Sequence, residues 1–176
     1  PAVSGYNHQL AYAAQIAGNL DIYLQSAEPG TEPRRLTKHS TDDNSPVFTH
    51  DSKQIVWVSK RADVKGDIWI MDADGNNQRK LTSRETADST PVCHPNGNHV
   101  YFTSRSKKKR QPGIRVIDMK SGDQEEVVEH GWDPSLSQDG RYMTYVSAEP
   151  GESIPRLYLR DLVLNTAHPI TQSIYP

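Results

Sequence analysis

Cysteine occurs once in the chain, at position 93, so no internal disulfide can brace the fold. Cys93 falls where neighbouring segments carry core side chains, and a free cysteine there behaves as a small buried hydrophobe rather than a nucleophile. No apolar run approaches the length of a membrane span, and no signal-peptide pattern is present, so membrane insertion is not expected. A start on a repeat boundary at Pro1 suggests a mature chain or an excised fragment. Neither sign of charge dominates. The net charge of -2 and a pI near 6.4 argue against a general nucleic-acid binder, which would carry a basic surface. Apolar residues reach only 34%, whereas 11 glycines and 12 prolines suit a chain of many short strands and turns.

Catalytic signatures are also missing. There is no Gly-x-Ser-x-Gly elbow and no glycine-rich phosphate loop. Seven histidines (8, 39, 50, 94, 99, 130 and 168) include no close ligand spacing. His50 and His94 fall in equivalent turns of neighbouring segments, but a metal site needs three or four convergent ligands. Asp72-Ala73-Asp74-Gly75 starts like a calcium loop, lacks the later ligands, and reads as a hairpin turn. Asp42-Asp43 and Glu125-Glu126 are adjacent on extended chain, so their side chains point apart and make poor acid–base couples. The expectation is no enzyme activity, no cofactor and no metal.

What the sequence does contain is repetition. Prolines 1, 46, 91, 134 and 176 are spaced by 45, 45, 43 and 42 residues. Turns follow the first four, at Gly5-Tyr6-Asn7-His8, His50-Asp51-Ser52-Lys53, Pro95-Asn96-Gly97-Asn98 and Gln138-Asp139-Gly140-Arg141. Asn-Gly and Asp-Gly are strong hairpin signals because such turns need positive φ. A second strand is then read at Leu10–Ala13, Ile55–Val58, Val100–Thr103 and Met143–Val146. The third falls at Asp21–Leu24, Asp67–Ile70, Ile114–Ile117 and Arg156–Leu159. The fourth and weakest is Arg34–Thr37, Arg79–Thr82, Glu125–Val128 and His168–Thr171. Four strands in about 43 residues define the blade of a β-propeller. The expected fold is all-β, one domain over residues 1–176, with four four-stranded blades at 1–45, 46–90, 91–133 and 134–176. A single blade exposes both faces and cannot bury enough apolar surface to hold itself, so the blades must stack.

The repeat resembles that of the TolB-like β-propellers. The likeness rests on Ser45-Pro46-Val47-Phe48, Ser59-Lys60-Arg61, Asp67-Ile68-Trp69-Ile70-Met71-Asp72-Ala73-Asp74-Gly75, Arg79-Lys80-Leu81-Thr82 and Gln138-Asp139-Gly140-Arg141. Propellers of the tricorn protease and of prolyl-oligopeptidase-type hydrolases share this repeat. Family propellers mostly have six or seven blades. Four blades closing one ring is the favoured reading; half of an eight-bladed dimeric ring and part of a longer propeller are the alternatives. The resemblance implies a periplasmic location.

In propellers the loop leading into each blade and the loop between its second and third strands share one face. On that rim the sequence places Asp43, Lys60, Arg61, Asp88, Arg105, Trp132 and Asp133. These groups read either as caps and ion pairs holding the blades, or as a polar funnel that receives a protein partner, since rigid scaffolds present binding residues on loops. Lys107-Lys108-Lys109-Arg110 reads either as a solvated loop tip or as a contact for an acidic partner. The functional expectation is a non-enzymatic protein-interaction module, as a homodimer or a subunit of a larger envelope complex. The substrate-gating propeller of a prolyl-oligopeptidase-type hydrolase is the alternative, and a metal-dependent lyase propeller a third.

Overall fold

The computed structural model describes residues 1–176 except 6, 7, 17, 83, 84, 110, 149–153 and 171–176. The first-repeat turn at Tyr6-Asn7, Arg110 of the basic run and Thr171 of the last strand therefore lie outside the described residues. The rest forms sixteen strands and no helix. The first sheet is β1 (Ala2–Val3), β2 (Gln9–Ala14), β3 (Asp21–Ser26) and β4 (Arg34–Arg35). The second is β5 (Asp43–Phe48), β6 (Gln54–Ser59), β7 (Asp67–Asp72) and β8 (Arg79–Lys80). The third is β9 (Thr86–Cys93), β10 (His99–Ser106), β11 (Gly113–Asp118) and β12 (Gln124–Val128). The fourth is β13 (Trp132–Leu136), β14 (Tyr142–Ser147), β15 (Arg156–Asp161) and β16 (Thr166–Pro169). Each sheet is an antiparallel meander in chain order, the expected blade.

Alternation along the middle strands explains how blades of so little apolar content hold together. On β6, Ile55 and Trp57 pack with Ala11, Ile22 and Leu24 of the first sheet, while Val56 and Val58 pack with Val100 and Phe102 of the third. The four-residue apolar run is thus buried on both faces, as such a run demands. The next interface sets Ile114 and Val128 against Met143, Tyr145 and Tyr158 of the fourth sheet. Each large side chain buried this way contributes about 1.5–3 kcal/mol. Cys93 is a partly buried member of the cluster between second and third sheets, and burial pushes its thiol up to about 12. It is a packing residue, as the sequence suggests.

The first strand of each later blade packs against the preceding blade: β5 on β1, β2 and β3; β9 on β5, β6 and β7; β13 on β9, β10 and β11. Among the described strands, none of the first sheet contacts one of the fourth. Closure of the four blades into one ring is thus not shown among the described residues. The blades form a consecutive series in which the first strand of each later blade seats it on the one before.

The repeat prolines do not open their strands. Pro46, Pro91 and Pro134 lie inside β5, β9 and β13, each at a break in ladder register. The preceding residues, Ser45, Thr90 and Asp133, all have positive φ (52°, 47° and 53°). Proline cannot donate to a ladder, so it is accommodated in a bulge that re-aims the strand. The segments expected as loops leading into the blades, Asp43–Pro46, Asp88–Pro91 and Trp132–Pro134, are therefore strand, because pairing resumes on both sides of the bulge. The last strands of the first two blades are cut to two residues for another reason. Thr37 and Thr82 turn their hydroxyls inward to accept the N–H of Ile22 and Ile68 at 2.9 and 3.0 Å, replacing the next ladder bond.

Candidate partner-binding cleft

The seven rim residues read from the sequence separate into two groups. Asp43 is fully buried, accepting the indole N–H of Trp57 at 3.1 Å and the Arg61 guanidinium at 2.7 Å. Arg61 in turn lies over the rings of Trp57 and Trp69, 5.6 and 4.7 Å from their centroids, and donates to Gln78 Oε1 at 2.8 Å. A desolvated carboxylate held by an arginine that also stacks on two aromatics is an internal clamp of the second blade. Asp88 is also buried, accepting the hydroxyls of Ser104 at 2.7 Å and Thr86 at 2.8 Å. Lys60 is half-exposed and pairs with Asp42 at 3.2 Å. These four residues make structural contacts, those of Asp43 and Arg61 within the second blade and those of Asp88 within the third.

Arg105, Trp132 and Asp133 are brought together. They line a cleft of about 370 Å³ between the third and fourth blades. Arg105 comes from β10, near the loop to β11, and is exposed; Trp132 and Asp133 begin β13, half-buried and exposed respectively. Ala87 and Ser89 of β9 and Thr103 of β10 complete the third-blade wall, with Gln111 and Pro112 from the β10–β11 loop. Gln111 and Pro112 are not foreseeable from sequence, because their place depends on how that loop folds back on the blade.

Local chemistry keeps the two walls in register. The positive φ of Asp133 points its N–H across the interface to the Thr103 hydroxyl at 2.9 Å, and Thr103 also bonds the Thr90 hydroxyl at 2.7 Å. Gly131 N–H bonds Pro112 O at 2.9 Å. A side chain at Gly131 would meet the Tyr145 ring at 2.9 Å, so only glycine allows this approach. Gln111 Oε1 is closed to solvent and has no hydrogen-bond partner among the described residues. Arg105 makes no ion pair among them either, whereas Lys109 of the basic run is held by Glu126 at 2.7 Å. The cleft thus offers a cation, a carboxylate, a flat aromatic and an unmet acceptor on a scaffold fixed by backbone bonds.

The remaining candidates have structural places. His94 Nε2 lies 3.1 Å from Gly140 O, linking the hairpin of the third blade to that of the fourth. Among the described residues no group of three or more His, Cys, Asp and Glu is placed to hold a metal ion. Asp74 accepts the N–H of Asn76 at 2.9 Å beside Gly75 at φ 88°, a hairpin turn.

Consecutive four-stranded meanders stacked face to face make the molecule a β-propeller repeat protein. The TolB beta propeller domain matches residues 1–159, and the chain belongs to that family. An uncharacterised protein of Agrobacterium fabrum is 30% identical over 135 residues, covering 74% of this chain and 44% of the relative. An uncharacterised peptidase of Bacillus subtilis, YuxL, is 23% identical over 145 residues, covering 61% of this chain and 22% of the peptidase. The chain thus spans less than half the length of either. Among solved structures, a protein assigned as TolB from Agrobacterium tumefaciens superposes with a TM-score of 0.82 at 23% identity. That match covers 96% of this chain and 63% of the other. TolB from Acinetobacter baumannii gives 0.79 at 21%, over 98% and 43%. These likenesses fix the propeller fold.

Proposed function

We propose that the chain is a non-enzymatic protein-interaction module, whose third and fourth blades receive a segment of a partner protein. The observation that carries this reading is the convergence of Arg105, Trp132 and Asp133, on two blades, around one cleft. Aromatic and arginine side chains at a rigid, concave site are what interface anchors are built from. The described residues contain no helix long and apolar enough to cross a membrane. Kinship with the TolB family supports a periplasmic setting and a place in a larger envelope assembly.

Photo-crosslinking in cells tests the reading. A crosslinking residue at position 105 should capture one protein that purified chain then binds directly, while one at exposed Lys53, at the other end of the strands, should not. Equal capture from both positions would remove the cleft as the site. The peptidase relative supports a second reading, a gating propeller attached to a hydrolase. An α/β-hydrolase domain in the same reading frame would establish it in place of the first.

A further inference from the structure

Resting on the reading just proposed, we infer that the cleft selects an acidic segment of its partner: an extended stretch with aspartate or glutamate side chains beside an apolar or aromatic one. Three observations converge. Arg105 faces the cleft exposed and without an ion pair among the described residues, and beyond it Lys107 and Lys108 are exposed and likewise unpaired. Exposed cations thus follow Arg105 along the chain into the β10–β11 loop, which suits carboxylates spaced along a segment better than a single terminal one. Lys109, by contrast, is already neutralised by Glu126 and, at 3.9 Å, by Glu129. Within the basic run, Lys109 is thus spent on the blade while Lys107 and Lys108 stay exposed.

The floor and far wall narrow the choice further. Gln111 Oε1 is a buried acceptor with no donor among the described residues, and an unsatisfied buried polar atom is costly until a donor reaches it. Asp133 is a second acceptor, on the opposite wall. Backbone N–H groups of a bound strand supply such donors at regular spacing, which a simple anion does not. Trp132 and Pro112 give that strand an apolar surface. Asp133 also sets a limit: an all-acidic tract is repelled there, so the segment carries its carboxylates on the Arg105 side and an uncharged residue toward β13.

The experiment uses the folded chain and peptides of about twelve residues, amidated at the C-terminus and selected without bias by display on the immobilised protein. The expected set is enriched in Asp or Glu next to an aromatic or proline. Replacing those acids by Asn or Gln weakens binding about ten- to a hundredfold, the range of a charge-assisted hydrogen bond. Arg105→Gln causes the same loss with an unchanged thermal midpoint, and a neutralised peptide loses nothing further on Arg105→Gln. Raising salt from about 50 to about 300 mM weakens only the acidic peptides. Peptides that lose binding on Trp132→Ala yet carry no acid would overturn the acidic preference and leave the cleft as a docking site. Binding that requires a free terminal carboxylate would overturn it equally. A selection in which no peptide responds to Trp132→Ala would sink both the preference and the cleft.

Discussion

Trp57 shows how one side chain serves two purposes. Its ring has no exposed surface and closes the interface between the first and second blades, while its N–H is one of two donors to Asp43. Trp57→Ala should therefore lose about 3–5 kcal/mol in urea unfolding, since it opens a large cavity and removes a partner of a buried carboxylate. A loss under about 1 kcal/mol would mean the ring is not at the interface. Asp67 is the reverse case. It is fully buried, with Lys80 Nζ 2.8 Å away, yet burial raises its carboxyl above the ordinary 3.8 by more than Lys80 lowers it, with Asp88 and Asp63 adding to the rise. A folded-state value above the unfolded one means the ionised form costs stability, and the cost is relieved as pH falls through the folded value. Relative to the parent, Asp67→Asn should gain stability as pH is raised from about 4 to 7. A pH-independent difference between the two unfolding curves would contradict this.

At the scale of the element, the hairpins show the clearest rule. Asp51, Asn96 and Asp139 accept the N–H two residues ahead, and the next residue in each turn, Ser52, Gly97 or Gly140, has positive φ. Further turn aspartates have depressed carboxyls, Asp118 chiefly through the N–H of Ser121 and Asp161 chiefly through the N–H of Leu164. In Asp139 the Ser137 hydroxyl acts first. Depressed folded values stabilise the fold above 3.8, and that contribution disappears as pH falls through them. Thermal stability should therefore decline below about pH 4, with proton uptake on unfolding. Gly97 and Gly140 separate backbone strain from packing. Both have φ near 75°, but a side chain at Gly97 meets open space, while one at Gly140 lies 2.5 Å from His94 Nε2. Gly97→Ala should cost about 1 kcal/mol from the backbone alone, and Gly140→Ala distinctly more. Equal costs would show that the His94 contact is not a lock between blades.

Hairpins of this kind are legible in sequence because their determinants are local. Asp-Gly and Asn-Gly state the turn within two residues, and Ile55–Val58 states two-sided burial within four. The cleft was legible only in part. Arg105, Trp132 and Asp133 could be named because they flank repeat landmarks. Asp43 and Asp88 stand three residues ahead of their repeat prolines and are buried, whereas Asp133 stands one ahead, at the place of Ser45 and Thr90, and is exposed, so the offset from the proline separates them. What the sequence leaves hidden is which partners meet them: β6 and the loop after it bring Trp57 and Arg61 to Asp43, while β14 and β15 bring tyrosines that pack toward the third blade. The same non-local cause hides the bulges, whose geometry depends on pairing across the strand.

Across the whole molecule, the strands of each sheet touch only those of adjacent blades, so stability is a sum of neighbour terms, greatest where a blade is covered on both faces. Amide hydrogen exchange should be slowest in β6, β7, β10 and β11 and faster in β2, β3, β14 and β15. Uniform protection would mean the first and fourth blades are covered as fully as the inner two. The walls of the cleft belong to the third blade, covered on both faces, and to the fourth, joined at the mouth by the Thr103–Asp133 bond. A peptide seated there would work as a staple, tying the fourth blade to the firmness of the third, so that occupancy would be felt as slowed amide exchange across the fourth sheet.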